Sequence, residues 1–465
     1  MDLNKTSKKH YVAIIGGSIS GSEAASLLVE KGFKVVVFEM NSLPYGKIED
    51  GLPKWHINLR NRQMKGIDTK LQHPNILFVP KTKIGVDIDF LELKEAWGFS
   101  AIIIANGSWK DRKLPLPFIE KFKDKDLIYQ NSLINWFNHK HEQNYKGQNY
   151  FIRGNVVVVG GGLASLDVMK IVMIELVKKQ LYLKKGIYVD VFTLEKHGVS
   201  EILKKYSTSL DELGVKKAKL IYRRTASDMP LKASKDDSKE SIESAKGISE
   251  KLLNKYVAKY MFEFVPLSIP VHFIEEEEKL KKVVFQKMSL LEGKLKAVEG
   301  ETVQMEVDVL ISSIGSIPEG IKGLNYEHSL LKMQKDSNFQ VWGFENVFAV
   351  GNAVTGKGNI QDSKKHGKKM TKIILDEYLT DDLLEAWLIN HNSQVRNTTR
   401  SQINEIYTEV VQMKMKTEVE HHQIERKIDS IYKKIGFENY KKWIKNNLPV
   451  RLEDILKNKA DSKCI

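Results

Sequence analysis

Tyr11-Val-Ala-Ile-Ile-Gly16-Gly-Ser-Ile-Ser-Gly21 and Asn155-Val-Val-Val-Val-Gly160-Gly-Gly-Leu-Ala-Ser165 are two apolar, β-rich runs, each ending in a glycine-rich turn. Such a turn lets a pyrophosphate lie against bare backbone N–H groups at a helix N-terminus, where a side chain on the first glycine would hold the phosphate away. Two of them, about a domain apart, point to a chain that holds two dinucleotides. The expected fold class is therefore α/β, with two Rossmann-like dinucleotide-binding domains.

Working outward from the first turn, Glu23-Ala-Ala-Ser-Leu-Leu-Val-Glu-Lys31 is rich in helix formers, Gly32 can close the helix, and Lys34-Val-Val-Val-Phe-Glu39 reads as the next strand. Glu39 falls about twenty residues after Gly16, where a carboxylate can accept both hydroxyls of an adenosine ribose and reject a 2′-phosphate. This unit suits FAD or NAD rather than NADP. Ser18 stands at the usual second glycine; it is small, and its hydroxyl could itself donate to phosphate.

The second turn opens a helix read as Leu166–Val177, with no acidic residue at the matching strand end. Instead, after a long insertion between Leu181 and Gly214, the run Lys219-Leu-Ile-Tyr222 ends in Arg223-Arg224. Paired guanidinium groups at a strand terminus suit the 2′-phosphate of NADP; two solvated arginines are the plain alternative. The stretch from Thr225 to Gly247 is rich in Lys, Ser, Asp and Glu and reads as a solvated loop or short helix.

The order of the remaining motifs carries a resemblance. Pro44-Tyr-Gly-Lys-Ile-Glu-Asp-Gly-Leu-Pro-Lys-Trp-His56 is similar to the stretch after the first ribose-binding acid in adrenodoxin-reductase-type ferredoxin–NADP reductases. Val156 to Asp167 and Tyr222-Arg-Arg-Thr-Ala-Ser-Asp-Met-Pro230 resemble the NADPH module shared with the small subunit of bacterial glutamate synthase. Asp308-Val-Leu-Ile-Ser-Ser-Ile-Gly315 and Asn346-Val-Phe-Ala-Val-Gly351 look like the two strands by which such chains re-enter the FAD domain. Two departures stand out: Asn352 where relatives carry aspartate or tryptophan, and Asn106 where they carry threonine or valine.

The resemblance implies an NADPH domain inserted into an FAD domain: residues 1–112 and 320–382 for FAD, 113–319 for NADPH, and 383–465 as a C-terminal helical extension. It implies FAD contacts at Gly16, Ser18, Ile19, Ser20, Gly21, Glu39, Met40, Gly46, Gly51, Asn106, Gly107, Gly351, Asn352, Gly358, Asn359 and Ile360. For NADP the implied residues are Gly160, Gly162, Leu163, Ala164, Arg223 and Arg224. His56 is the candidate catalytic residue, since an imidazole titrates near neutrality and can relay a proton as a flavin changes charge; a purely hydrogen-bonding histidine fits the position equally. A helix after Asn359-Ile-Gln-Asp-Ser363 would aim its positive end at the flavin.

The expected function is an FAD-dependent NADPH oxidoreductase that passes electrons to an acidic carrier, ferredoxin or flavodoxin. The alternatives are an electron-input subunit like that of glutamate synthase and a flavin oxidase or monooxygenase acting on an organic substrate. An acidic partner agrees with the charge balance, 73 Lys and Arg against 59 Asp and Glu for a formal net charge of +14. No aromatic-interleaved basic face suggests nucleic acid. The single cysteine, Cys464, excludes an internal disulfide, a redox cysteine pair and a cysteine-ligated cluster. Glu420-His-His422 offers adjacent histidines that cannot share one helix face, so it reads as a solvated linker and no metal is expected. The opening residues lack a signal-peptide pattern, and the most apolar stretch, Val156 to Val177, carries Asp167, Lys170 and Glu175, so a cytoplasmic protein without a membrane span is expected. Beyond Leu383, Ile403, Ile406, Val410 and Met413, then Ile424, Ile428, Ile431 and Ile435, recur at helical spacing as in two amphipathic helices.

Overall fold

The computed structural model describes residues 10–351 and 383–461, apart from 233, 235, 336 and 338. The described residues begin with β1 (Tyr11–Ile15), α1 (Ile19–Glu30) and β2 (Lys34–Phe38), followed by α2 (Lys47–Asp50), α3 (Ile57–Leu71), β3 (Ile76–Val79), α4 (Phe90–Ala96) and β4 (Ala101–Ile104). These strands form a parallel sheet whose final member arrives late in the chain. β1 and β4 are buried along their whole length, as near-continuous apolar runs must be when a parallel sheet is covered on both faces.

A two-stranded link, β5 (Lys110–Asp111) against β14 (Ser316–Ile317), marks where the chain leaves this unit and returns to it. Between them lies a second parallel sheet in the order β6 (Leu127–Tyr129), β13 (Val309–Ser313), β7 (Val156–Gly160), β8 (Lys219–Ile221), β9 (Glu263–Val265). It carries α5 (Gln130–His139) and α6 (Leu163–Lys185). α7 (Val191–His197), α8 (Val199–Lys205) and α9 (Leu210–Leu213) fill the long insertion and bury Val191, Leu194, Ile202 and Leu213 in the core that also holds α6.

α6 starts at Leu163 rather than Leu166 and runs past Val177, because Lys178, Lys179 and Gln180 face outward while Leu181 stays buried and Gly186 caps the end in the left-handed conformation. The Thr225–Gly247 stretch is not all loop: α10 (Lys239–Tyr260) begins within it, capped by Ser238, whose hydroxyl accepts from the Ser241 N–H. Ala245, Leu252, Leu253, Tyr256 and Tyr260 form its buried stripe, and the charged residues occupy the other face.

An antiparallel sheet of β10 (Ser268–Glu276), β11 (Lys279–Leu291) and β12 (Lys294–Glu306) precedes β13. Val283 and Phe285 of β11 alternate inward onto the second parallel sheet. β13 corrects one expectation: Asp308–Gly315 does not re-enter the first domain but lies inside the second sheet, between β6 and β7, with Ile311 opposite both Val158 and Ile128. All five of its residues are buried, which suits a strand paired on both edges.

The hairpin β15 (Tyr326–Glu327) with β16 (Leu330–Leu331) then leads to β17 (Val347–Ala349), which joins the first sheet beside β4. The C-terminal segment forms α11 (Leu383–Val410), α12 (Glu418–Ile435), α13 (Tyr440–Asn447) and α14 (Leu452–Asp461). It is no loose appendage. Ile403, Ile406, Val410 and Trp443 pack on the face of the first sheet that presents Val12, Ile14 and Val37, while Ile424 and Ile428 pack on the opposite face with Ala13, Val36 and Phe38. Glu420, His421 and His422 belong to the first turns of α12, not to a linker, because Thr417 and Glu420 form a capping box.

Candidate dinucleotide sites and the contact between them

Gly16 has φ +103°, and a Cβ there would lie 2.6 Å from the Ala105 carbonyl oxygen, so the turn between β1 and α1 needs glycine for conformation and for space. A Cβ on Gly21 would come within 1.8 Å of the Gly16 carbonyl oxygen, which lets α1 start close against β1. Ser20, in the first turn of α1, is matched across the site by Gly351 (φ +66°), whose Cβ would lie 2.1 Å from the Ser20 hydroxyl. Ile19, at the start of the same turn, is half-buried.

Glu39 leaves the end of β2 and folds back under the turn, where its carboxylate accepts the Gly17 N–H at 2.9 Å and the Asn41 N–H at 3.0 Å. Burial pushes its carboxyl up to about 7, against the pull of those backbone donors and of the Met40 amide. The side chain is thus already aligned with the glycine turn. Ser18 does something other than the sequence suggested: its hydroxyl donates to the Tyr45 carbonyl at 2.9 Å, tying the turn to the segment before α2. Gly46 (φ +53°) begins that helix and Gly51 ends it, with the Gly51 N–H on the Lys47 carbonyl at 3.1 Å. Asn106 donates from Nδ2 to the Glu319 carbonyl at 3.2 Å, joining the two chain crossings, and Gly107 (φ +64°) has nothing within 4 Å of where a Cβ would stand. Asn352, Gly358, Asn359, Ile360 and the helix expected after them lie outside the described residues.

The second turn is built alike. A Cβ on Gly160 would meet the Ser165 hydroxyl at 2.3 Å and the Ser313 carbonyl at 2.5 Å, and one on Gly161 would strike the Tyr222 ring at 2.0 Å. Gly162, the N-cap of α6, is open, with nothing within 4 Å. The first N–H groups of a helix have no partner within it, so Gly162, Leu163 and Ala164 present an anion-binding end on a 23-residue helix. Arg223 and Arg224 follow β8, the neighbour of β7, at the carboxyl edge of the sheet. Arg223 is exposed and Arg224 half-buried, and the nearby Asp228 is engaged by the Thr225 hydroxyl at 2.8 Å and Lys246 at 3.1 Å.

The two units meet at His56. It stands at the N-cap of α3, only 5% exposed, with Nε2 3.6 Å from the Asp167 carboxylate of α6. A residue of the first unit therefore faces one of the second, close to the start of α6. Nearby, Lys47 of α2 reaches across to Ser316 at 2.9 Å, and burial lowers its ammonium to about 8.

Comparison with known proteins agrees with this layout. Over 170 residues the chain is 32% identical to the glutamate synthase [NADPH] small chain of Bacillus subtilis, covering 35% of this chain and 32% of that one. Over 354 residues it is 21% identical to the mitochondrial NADPH:adrenodoxin oxidoreductase of Arabidopsis thaliana, covering 70% of this chain and 71% of the other. Its fold superposes on Mycobacterium tuberculosis FprA, solved in complex with NADPH, with TM-score 0.63, 18% identity and 92% and 91% of the two chains covered. The chain is thus similar in sequence to the first two and in fold to the third. No family model matches it, and it spans a third or less of the glutamate synthase small chains of Bacillus subtilis and Mycobacterium tuberculosis that it matches. The resemblance in motif order thus extends to the α/β architecture with two parallel sheets. No helix among the described residues is long and apolar enough to cross a membrane.

Trp55, Asp167, Lys170 and Lys47 were not singled out as site residues from sequence. The i, i+3 spacing of Asp167 and Lys170 inside an otherwise apolar helix was the available signal, since charges there need partners.

Proposed function

We propose that this chain is an FAD-dependent NADPH oxidoreductase that delivers electrons to an acidic carrier protein of the ferredoxin or flavodoxin kind. The observation that carries the reading is the pair of glycine turns, each at a helix N-terminus, with His56 and Asp167 in contact between the two units. In this reading residues 1–112 and 320–382 belong to an FAD unit, 113–319 to an NADPH unit and 383–465 to a C-terminal extension, whose Ile403, Ile406, Ile424, Ile428 and Trp443 pack on the first sheet.

Gly16, Ser18, Ile19, Ser20 and Gly21 would receive the FAD pyrophosphate on backbone N–H groups, with Glu39 on the ribose and Met40, Gly46, Gly51, Asn106, Gly107 and Gly351 lining the rest. The glycines whose Cβ would collide with backbone, and the buried, backbone-held carboxylate of Glu39, fit such a ligand. Gly160, Gly162, Leu163 and Ala164 would cradle the NADPH pyrophosphate, and Arg223 and Arg224 its 2′-phosphate. FAD, when bound, supplies a centre that accepts a hydride and releases electrons singly. The protein's share is to bind and orient both coenzymes, while His56, paired with Asp167 and nearly shielded from water, holds or moves a proton beside them.

A second reading, an electron-input subunit of a larger enzyme, is favoured by the higher identity to the glutamate synthase small chains. One experiment tests the core of both: the visible spectrum of the pure protein, followed by NADPH without oxygen. A flavin spectrum that NADPH bleaches supports the reading; a colourless protein, or a flavin indifferent to NADPH, refutes it. Salt then separates the partners, because opposite charges steer encounter and are screened over a Debye length of about 8 Å at physiological ionic strength. Reduction of an acidic carrier should slow as salt rises; stable co-purification with a large subunit would favour the second reading.

A further inference from the structure

We propose that Trp55 and Lys170 are positioning residues that set the proton occupancy of His56 from opposite sides; the use of that proton rests on the oxidoreductase reading above. His56 Nε2 faces two groups of opposite demand. The Trp55 indole N–H donates to it at 3.1 Å, which requires a bare, neutral nitrogen. The Asp167 carboxylate lies 3.6 Å from the same nitrogen and favours a protonated one. One nitrogen cannot serve both at once, so each protonation state has its own partner already in place.

Lys170 ties the two partners together. It lies three residues after Asp167 on α6, hence on the same helix face, and its Nζ stands 3.6 Å from Asp167 Oδ1 and 2.7 Å from Glu195 of α7. Asp167 Oδ1 is buried and makes no hydrogen bond among the described residues, so the charge of Lys170 is what compensates it. The ammonium is only 2% exposed and lies over the Trp55 ring at 4.6 Å, with the Tyr256 and Tyr260 rings of α10 at 5.8 Å and 5.7 Å. Burial opposes its charge, but Asp167 and Glu195 outweigh burial and hold it well above the usual lysine range.

Trp55 therefore meets His56 with its N–H and Lys170 with its ring face, and it comes from the first unit while Lys170, Asp167, Glu195 and the tyrosines come from the second. The buried set of one lysine and two carboxylates carries one net negative charge, which a proton on His56 would neutralise. Removing the indole N–H or the lysine charge favours that proton; removing a carboxylate charge disfavours it. A cluster that is not coupled to His56 would leave its midpoint unmoved by all of these changes.

The test is the titration of His56 in the full chain labelled with [15N]histidine, its ring signals identified by their loss in His56→Gln. Trp55→Phe, which keeps a ring over Lys170, should raise the midpoint by about half a pH unit to one unit, and Lys170→Met by at least as much. Glu195→Gln should lower it, and Lys170→Arg should leave it within about 0.2 units of the parent. The pH profile of flavin reduction by NADPH should move with the midpoint in each variant. An unchanged midpoint in Trp55→Phe and Lys170→Met, or a rise in Glu195→Gln, would overturn the proposal, and Glu195→Gln alone decides it should the others not fold. Failure of NADPH to reduce the protein would refute the oxidoreductase reading while the titration shifts still upheld the coupling.

Discussion

Replacing Arg223 and Arg224 together with alanine should separate the two nicotinamide coenzymes. Both arginines follow β8 at the carboxyl edge of the second sheet, beside the open N-terminus of α6, and Asp228, the carboxylate of the same turn, is held by Thr225 and Lys246. A hydrogen bond between a charged pair contributes about 1.5–3 kcal/mol. Arg223 is exposed, so water and salt bring it to the low end or below, whereas Arg224 is half-buried. The pair together is expected to contribute about 2–4 kcal/mol to NADPH binding, or roughly 30- to 700-fold in Kd at about 1.4 kcal/mol per tenfold. NADH, lacking the 2′-phosphate, should lose less than about threefold by the same scale. Equilibrium titration of the purified double variant with each coenzyme reads both constants, and the NADPH loss should shrink as salt rises. Equal losses for the two coenzymes would show that the arginines only shape the turn, and the 2′-phosphate assignment would fall.

Three further outcomes are expected. Glu39→Gln keeps the size of the buried side chain but sets an NH2 group against backbone donors, so FAD affinity should drop by about 1.5–3 kcal/mol, read as flavin lost on ultrafiltration; flavin held as tightly as in the parent would exclude the ribose role. Ile403→Ala, a fully buried residue of α11 against the first sheet, should cost about 2–5 kcal/mol in denaturant unfolding, and a neutral result would show that the C-terminal helices are not part of that core. His139 of α5 meets Asp50 of α2 at 3.1 Å and Glu142 at 2.5 Å; burial opposes its charge, but these carboxylates raise it to about 9. A raised folded value stabilises fully below the unfolded value of about 6.5 and is lost as pH climbs through about 9, so stability should fall across that window by on the order of 3 kcal/mol at most. Asp50→Asn should flatten the fall, and a parent stability that is level from pH 6.5 to 9 would refute the assignment.

What the sequence determined by itself is local. A β-branched run closing on glycines, followed by helix formers and a strand ending in Glu39, is a contiguous unit whose geometry each residue supports, so both glycine-rich turns and the α/β class were legible. Periodicity likewise marked Ile403, Ile406, Ile424 and Ile428 as inward-facing, because an amphipathic stripe is a property of one helix. What those stripes would cover was a tertiary matter: the C-terminal helices pack on both faces of a sheet begun nearly four hundred residues earlier. The run around Val309 could not be assigned to a sheet from its own composition, since every central parallel strand looks alike and only its neighbours, β6 and β7, distinguish it. Ser18 looked like a phosphate donor until the Tyr45 carbonyl was brought within reach of its hydroxyl. The His56 site belongs wholly to the tertiary structure: Trp55 and His56 are separated from Asp167, Lys170 and Glu195 by more than a hundred residues, and each charge is tolerable in a dry interior only because the fold places its counterpart there.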